Sequence, residues 1–83
     1  MLNNKKQIKM KNYKIFTATN KKGAHIEVHV QQLQRDTSRA RLTAEIHHTN
    51  GKSRTLIDGN CFYNDSDIID YLKYHNLLKI TKH

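Results

Sequence analysis

The sequence predicts a small α+β domain, in which a four-stranded antiparallel β-meander packs on one C-terminal helix. Two stretches in which every second residue is apolar, at 24–31 and 39–47, predict the central strands. After residue 63 the spacing of apolar residues changes from that of a strand to that of a helix. With 83 residues and no proline, the chain has room for one domain and little else.

The first strand is predicted at 13–19, where aromatic and β-branched residues predominate. It leads through a short polar turn, in which Gly23 supplies a positive φ, into the second strand. The second and third strands are joined by a polar loop of hairpin length at 34–38.

The second and third strands each have one apolar and one polar face. The apolar positions are all even-numbered: Ala24, Ile26, Val28, Val30, Ala40, Leu42, Ala44 and Ile46. The odd-numbered positions between them are polar, which is typical of a sheet that buries one face and leaves the other in water.

The fourth strand is predicted at 53–57. Asn50-Gly51 is the dipeptide best suited to a type I′ turn and connects this strand to the third one. Asp58-Gly59 is expected to end it. Because every connection is short, the strands should lie in the spatial order in which they occur along the chain.

The helix is predicted to begin after Asn64, whose side chain is suited to cap it. Tyr63 and Ile68 have the spacing of a hydrophobic staple, and Asn76 suits the position just after the helix. The apolar residues within 77–80 then either cover the sheet edge or add a short fifth strand.

Most of the positive charge lies at the start of the chain. Residues 1–22 hold seven lysines and no acidic residue, and so carry nearly all of the formal net charge of +8. Residues 1–11 are predicted to be a basic, flexible arm, and residues 12–83 the single domain. The arm is either a solvated tail or a segment that docks on phosphate groups. The nucleic-acid-binding candidates are Lys5, Lys6, Lys9, Lys11, Lys21 and Lys22.

Several function classes are disfavoured by what the sequence lacks. The single Cys61 excludes an internal disulfide and every cysteine-based metal framework. No Gly-rich phosphate loop and no nucleophile elbow is present, so we expect neither an enzyme nor a bound cofactor. Neither a membrane-spanning segment nor a secretory signal is found, which favours the cytoplasm.

The polar face of the second and third strands is the main candidate binding surface. Its histidines and carboxylates are metal-ligand types, but His25 and His29 lie about 13 Å apart along one strand, too far to share an ion. His29 with Glu45, or His25 with His47, would reach one ion only in one particular strand register. We therefore expect no metal, and either a plain polar face or a partner-binding face that gains positive charge as its imidazoles protonate. The partner-binding candidates are Lys14, His25, His29, Arg39 and Arg41.

The alternative to a protein that binds its partner through this face is a small basic DNA- or RNA-binding regulatory protein. Tyr13 and Phe16 lie among lysines, and a sheet that offers cations to phosphates and tyrosine to a base suits RNA or single strands. Against this, the chain lacks an aromatic RNA-binding motif and a helix-turn-helix pair. The first turn of its helix is also acidic and would repel phosphate groups.

Four features follow one another within residues 24–78: the alternating hairpin, the turn Asn50-Gly51-Lys52-Ser53, a short strand, and a helix opened by Asn64-Asp65-Ser66-Asp67. In this order they resemble the small anti-CRISPR proteins of phages, particularly type I-F inhibitors in which a four-stranded antiparallel meander precedes helical structure. The chain departs from those proteins in its lysine-rich leader and in lacking a second clear helix.

The resemblance implies a non-enzymatic inhibitor from a phage or mobile element, which covers a surface of a nucleic-acid-containing defence complex in the cytoplasm of a bacterial host. The expected partner is a host protein or ribonucleoprotein complex, with nucleic acid contacted through the basic arm. An unpaired edge strand also leaves a homodimer open.

Overall fold

The structure, a computed structural model, describes residues 12–83 of the chain. In this part of the chain five strands form one antiparallel sheet, and one helix packs on one of its faces. The elements in chain order are β1 (Tyr13–Thr19), β2 (His25–Gln32), β3 (Arg39–His47), β4 (Ser53–Phe62), α1 (Asp65–Tyr74) and β5 (Leu78–Lys82). Their order across the sheet is β4-β3-β2-β1-β5, so the predicted meander is confirmed and a fifth strand extends it at β1.

The core lies between the sheet and α1. The even-numbered apolar residues of β2 and β3 are buried, as the alternation predicts, and Phe16 and Ala18 of β1 join them. From the helix, Ile68 and Leu72 are completely buried in the same cluster. The sheet therefore has one face under the helix and one face that no described element covers.

The fourth strand is longer than predicted, because Asp58-Gly59 does not end it. Gly59 instead lies within β4 opposite Leu42, and the strand continues to Phe62 after a bulge opposite the Ala44–Glu45 step. The Tyr71 hydroxyl occupies the space that a Cβ at Gly59 would need. The glycine thus allows a close approach of the helix rather than a chain reversal.

The helix begins and ends where the sequence predicts. The side chain of Asn64 accepts a hydrogen bond from the Asp67 backbone N–H at 2.9 Å. At the other end Asn76 has a φ of 66°, and the backbone N–H groups of Asn76 and Leu77 bond to the carbonyls of Lys73 and Leu72. This pair of bonds is the Schellman motif, and it turns the chain back toward the sheet.

The fifth strand pairs with the free edge of β1. Thr17 lies opposite Thr81 and Thr19 opposite Leu78. The prediction of a four-stranded sheet is therefore wrong by one strand, and residues 78–82 extend the sheet rather than only covering its edge. No helix within residues 12–83 has the length and apolar character that crossing a lipid bilayer requires.

Candidate functional site

The uncovered side of the sheet is the candidate binding surface. We call it the open face and define it by the odd-numbered residues of β2 and β3, with Tyr13 of β1 and Asp58 and Phe62 of β4 beside them. Their side chains point away from the core because successive residues of a strand point to opposite faces.

The strand register decides which side chains of the open face meet. His25 lies opposite His47, Glu27 opposite Glu45, and Gln31 opposite Arg41. Four of the five predicted partner-binding residues, His25, His29, Arg39 and Arg41, lie on this face.

The fifth predicted residue, Lys14, lies on the other side of the sheet. It pairs with Val30 and shares the face of Phe16, so it points toward the helix. Its ammonium group is 2.8 Å from Asp65 at the start of α1 and 4.2 Å from the centre of the Tyr63 ring. Lys14 therefore joins the sheet to the helix instead of belonging to the surface that holds the other four.

The two arginines of the open face are held by neighbours on β4. Arg41 donates two hydrogen bonds to Asp58, at 3.1 and 2.9 Å, and these bonds lower the pKa of Asp58 and raise that of Arg41. The guanidinium of Arg39 lies over the Phe62 ring, 4.6 Å from its centre. Neither partner could be predicted, because the expected fourth strand stopped short of both residues.

Two histidines lie close to the carboxylate of Glu27. The Oε1 atom of Glu27 is 3.2 Å from Nε2 of His47 and 3.5 Å from Nε2 of His29. Hydrogen bonding to His29, followed by that to His47, lowers the pKa of Glu27. The Tyr13 hydroxyl is hydrogen-bonded to Nδ1 of His29, and burial, followed by the charges of Glu27 and Glu45, raises the pKa of Tyr13.

The open face carries charges of both signs. The face holds two arginines, Arg39 and Arg41, and three carboxylates, those of Glu27, Glu45 and Asp58. A phosphate backbone laid across this face would meet three carboxylates.

Three lysines of the described residues gather in one groove on the helix side of the sheet. Lys21 from the β1–β2 turn, Lys73 from α1 and Lys79 from β5 line one groove, together with apolar residues that include Ile69 and Ile80. We call this the lysine groove. Among its lining residues within the described chain there is no carboxylate.

The other nucleic-acid-binding candidates fall into two groups. Lys22 lines an adjoining depression that it shares with Lys21. The predicted candidates Lys5, Lys6, Lys9 and Lys11 lie outside the described residues.

The one cysteine has a structural position. Cys61 lies opposite Ala40 on the core side of β4 and is 7% exposed. Burial raises the pKa of its thiol, which disfavours the thiolate that a nucleophile requires.

Comparison with known protein families, curated proteins and solved structures gives no significant match for this chain.

Proposed function

We propose that this chain is a non-enzymatic binding protein whose open face covers a surface of a macromolecular partner. The observation that carries the proposal is the one-sided architecture: α1 covers one face of a five-stranded sheet, and arginine, histidine and aromatic side chains occupy the other. Such a face presents a broad, rigid surface on strands rather than on loops, which suits steric blocking.

The chemistry of the open face favours a protein surface as the immediate contact. Arginine and aromatic residues are enriched at the centres of protein interfaces, and Phe62 is 49% exposed beneath Arg39. The contacts that hold Arg39 and Arg41 in place reduce the ordering cost of binding. The neighbouring carboxylates would offset attraction to phosphate groups, so nucleic acid is a poorer occupant of this face.

The specific form of the proposal is a phage or mobile-element inhibitor of a nucleic-acid-containing defence complex in the bacterial cytoplasm. The resemblance to small anti-CRISPR proteins motivates it. A ribonucleoprotein would offer a protein surface to the open face and phosphate groups to the lysine groove, so both surfaces would have a partner of matching chemistry.

Phage plating tests this form of the proposal. Phage that is restricted by an active type I-F CRISPR system should form plaques again on cells that express the chain. Replacing Arg39 and Arg41 together by serine should abolish the rescue. The matched control replaces Arg35 and Arg54 by serine, since both are exposed arginines outside the open face.

Two outcomes would count against the proposal in different ways. If the unaltered chain does not restore plaques, the inhibitor form is wrong, although a different binding partner would remain to be tested. If the Arg39/Arg41 and Arg35/Arg54 variants both restore plaques, the open face is not the contact surface.

A directly nucleic-acid-binding regulator is the second candidate, and the lysine groove is the observation that favours it. Three lysines line the groove without a carboxylate among its lining residues in the described chain. If all three contact the phosphates of a single strand, the affinity should fall with salt at a log-log slope of about −2.

Fluorescence anisotropy with short single-stranded RNA and DNA tests the second candidate. Replacing Lys21, Lys73 and Lys79 by serine should remove binding, whereas the Arg39/Arg41 variant should retain it. Binding that survives loss of the three lysines would refute the groove as the site.

A further inference from the structure

We propose that Glu27, Glu45 and His47 form a binding site for a divalent first-row transition metal ion, with Zn²⁺ the best match. The inference does not depend on the proposed function, because it concerns ligand atoms within one chain and is tested without any partner. It also revises the expectation of no metal that the sequence supports.

The geometry of the three side chains carries the inference. One potential ligand atom from each residue lies within 4.8 Å of those from the other two. The donors around a tetrahedral Zn²⁺ are about 3.5 Å apart, given bond lengths of about 2.1 Å. Small side-chain rotations would therefore bring all three donors onto one ion, and the exposure of these side chains leaves room for such rotations.

The strand register creates this arrangement. Glu27 and Glu45 are direct cross-strand partners, and His47 lies two residues further along β3 on the same face. His25 and His29 are too far apart along one strand to share an ion, but residues that lie opposite each other on two strands are close enough to do so. His25, opposite His47 with the two ring centres 6.3 Å apart, provides a further imidazole beside the site.

Electrostatics also favours a cation between the two carboxylates. Like charges directly opposite each other in an antiparallel pair destabilise the sheet. Glu27 is hydrogen-bonded to His47, but within residues 12–83 the carboxylate of Glu45 makes no hydrogen bond or ion pair. A divalent ion would neutralise both carboxylates and provide the missing partner of Glu45.

The groups behind the ligands resemble those that orient metal-binding side chains. His29 approaches the Oε1 atom of Glu27, and the Tyr13 hydroxyl in turn holds the other ring nitrogen of His29. Hydrogen bonds of this kind fix the direction of a ligating carboxylate and strengthen metal binding.

The donor set indicates which ions should bind. Two carboxylate oxygens and one imidazole nitrogen suit Zn²⁺, and three protein ligands leave a coordination position for water. Mg²⁺ prefers six oxygen donors in a strict octahedron, so a site containing imidazole should select against it.

Isothermal titration calorimetry of the tag-free chain with ZnCl₂ tests the site. We expect saturable binding of one ion per chain, and no comparable binding of MgCl₂. Glu45→Gln and His47→Gln should each weaken Zn²⁺ binding at least about tenfold, as the loss of a ligand should cost no less than the loss of a supporting residue. The controls are Asp70→Asn and His75→Gln, which change the same chemical groups elsewhere on the protein and should leave the affinity unchanged.

NMR of the unaltered chain locates the ion without relying on any variant. On addition of ZnCl₂, the largest ¹H–¹⁵N shift changes should fall at residues 27, 45 and 47 and at their strand neighbours. Melting curves without metal check that the variants fold. The inference is overturned if Zn²⁺ does not saturate a site, if Mg²⁺ binds equally well, if both ligand variants bind like the controls, or if the shift changes cluster elsewhere.

Discussion

Replacing Leu72 by alanine should strongly destabilise the domain, because the attachment of α1 to the sheet depends on very few side chains. Ile68 and Leu72 are the two residues of α1 that are fully buried, and both pack in the cluster formed by the sheet. Truncating a fully buried leucine costs about 2–5 kcal/mol, through lost burial and the cavity that remains. A domain of this length has a total stability of about 4–12 kcal/mol, so one substitution removes a large part of it.

Circular dichroism during thermal and urea unfolding measures the effect. At about 4–8 °C per kcal/mol for a domain of this size, a loss of about 3 kcal/mol lowers Tm by about 12–24 °C. Tyr74→Ala is the matched control, since Tyr74 lies on the same helix with 82% of its surface exposed. Its effect should stay within about 0.5 kcal/mol.

Equal melting temperatures for Leu72→Ala and Tyr74→Ala would show that the domain does not depend on the burial of Leu72. The helix would then not cover the sheet through Leu72. The distinction between a buried face and the open face, on which the proposed function depends, would be lost with it.

Three further predictions concern the elements around the helix. Gly59→Ala should destabilise the domain by about 1–3 kcal/mol in urea unfolding, because the new Cβ meets the Tyr71 hydroxyl. Adding Tyr71→Phe to the same chain removes that hydroxyl and should restore part of the lost stability. If it restores none, the clash with the hydroxyl is not the cause. Asn64→Ala should cost about 1 kcal/mol through loss of the helix cap, and an unchanged urea midpoint would exclude that role. Hydrogen bonds from Lys14, and then from Lys82, lower the pKa of Asp65 below its ordinary value of 3.8. The pKa of Asp65 is therefore lower in the folded state than in the unfolded state. The ion pairs with the two lysines stabilise the folded state at pH values above the ordinary pKa, and this stabilisation is lost as the pH falls through the folded-state pKa. The Tm advantage of the wild type over Asp65→Asn should therefore be present at neutral pH and disappear as the pH falls through the lowered pKa of Asp65, whereas an advantage that persisted once the carboxyl is protonated would contradict the ion pairs as its source.

The elements predicted from local signals are the ones that the structure confirms. Alternation of apolar and polar residues defines β2 and β3, because one-sided burial leaves that trace in the sequence. The cap at Asn64 and the left-handed residue Asn76 mark both ends of α1, since each acts through hydrogen bonds to backbone within a few residues.

The errors arise where long-range contacts decide the structure. Asp58-Gly59 has the composition of a turn, but Gly59 is needed for the approach of Tyr71 from an element that comes later in the chain. Residues 78–82 become a strand because β1 offers a free edge, and the local sequence leaves that choice open.

The sequence predicts which side chains of the candidate site share a face of the sheet, but not which of them are in contact. Alternation places His25, His29, Arg39 and Arg41 on one side, and the same parity would have placed Lys14 on the other, beside Phe16. A shift of the β2–β3 register by two residues would preserve both faces while changing every cross-strand partner. The grouping of Glu27, Glu45 and His47 therefore became visible only with the register itself.

Site-specific photocrosslinking tests most directly whether the open face contacts the partner. A benzoylphenylalanine at Thr43, in the middle of β3 between His29 and Asp58, should crosslink to a subunit of the proposed partner, a defence complex, in cells that contain both. The same group at Tyr74, on the exposed side of the helix, should give no such adduct. Crosslinks from position 74 and none from position 43 would show that the partner binds the opposite side of the protein.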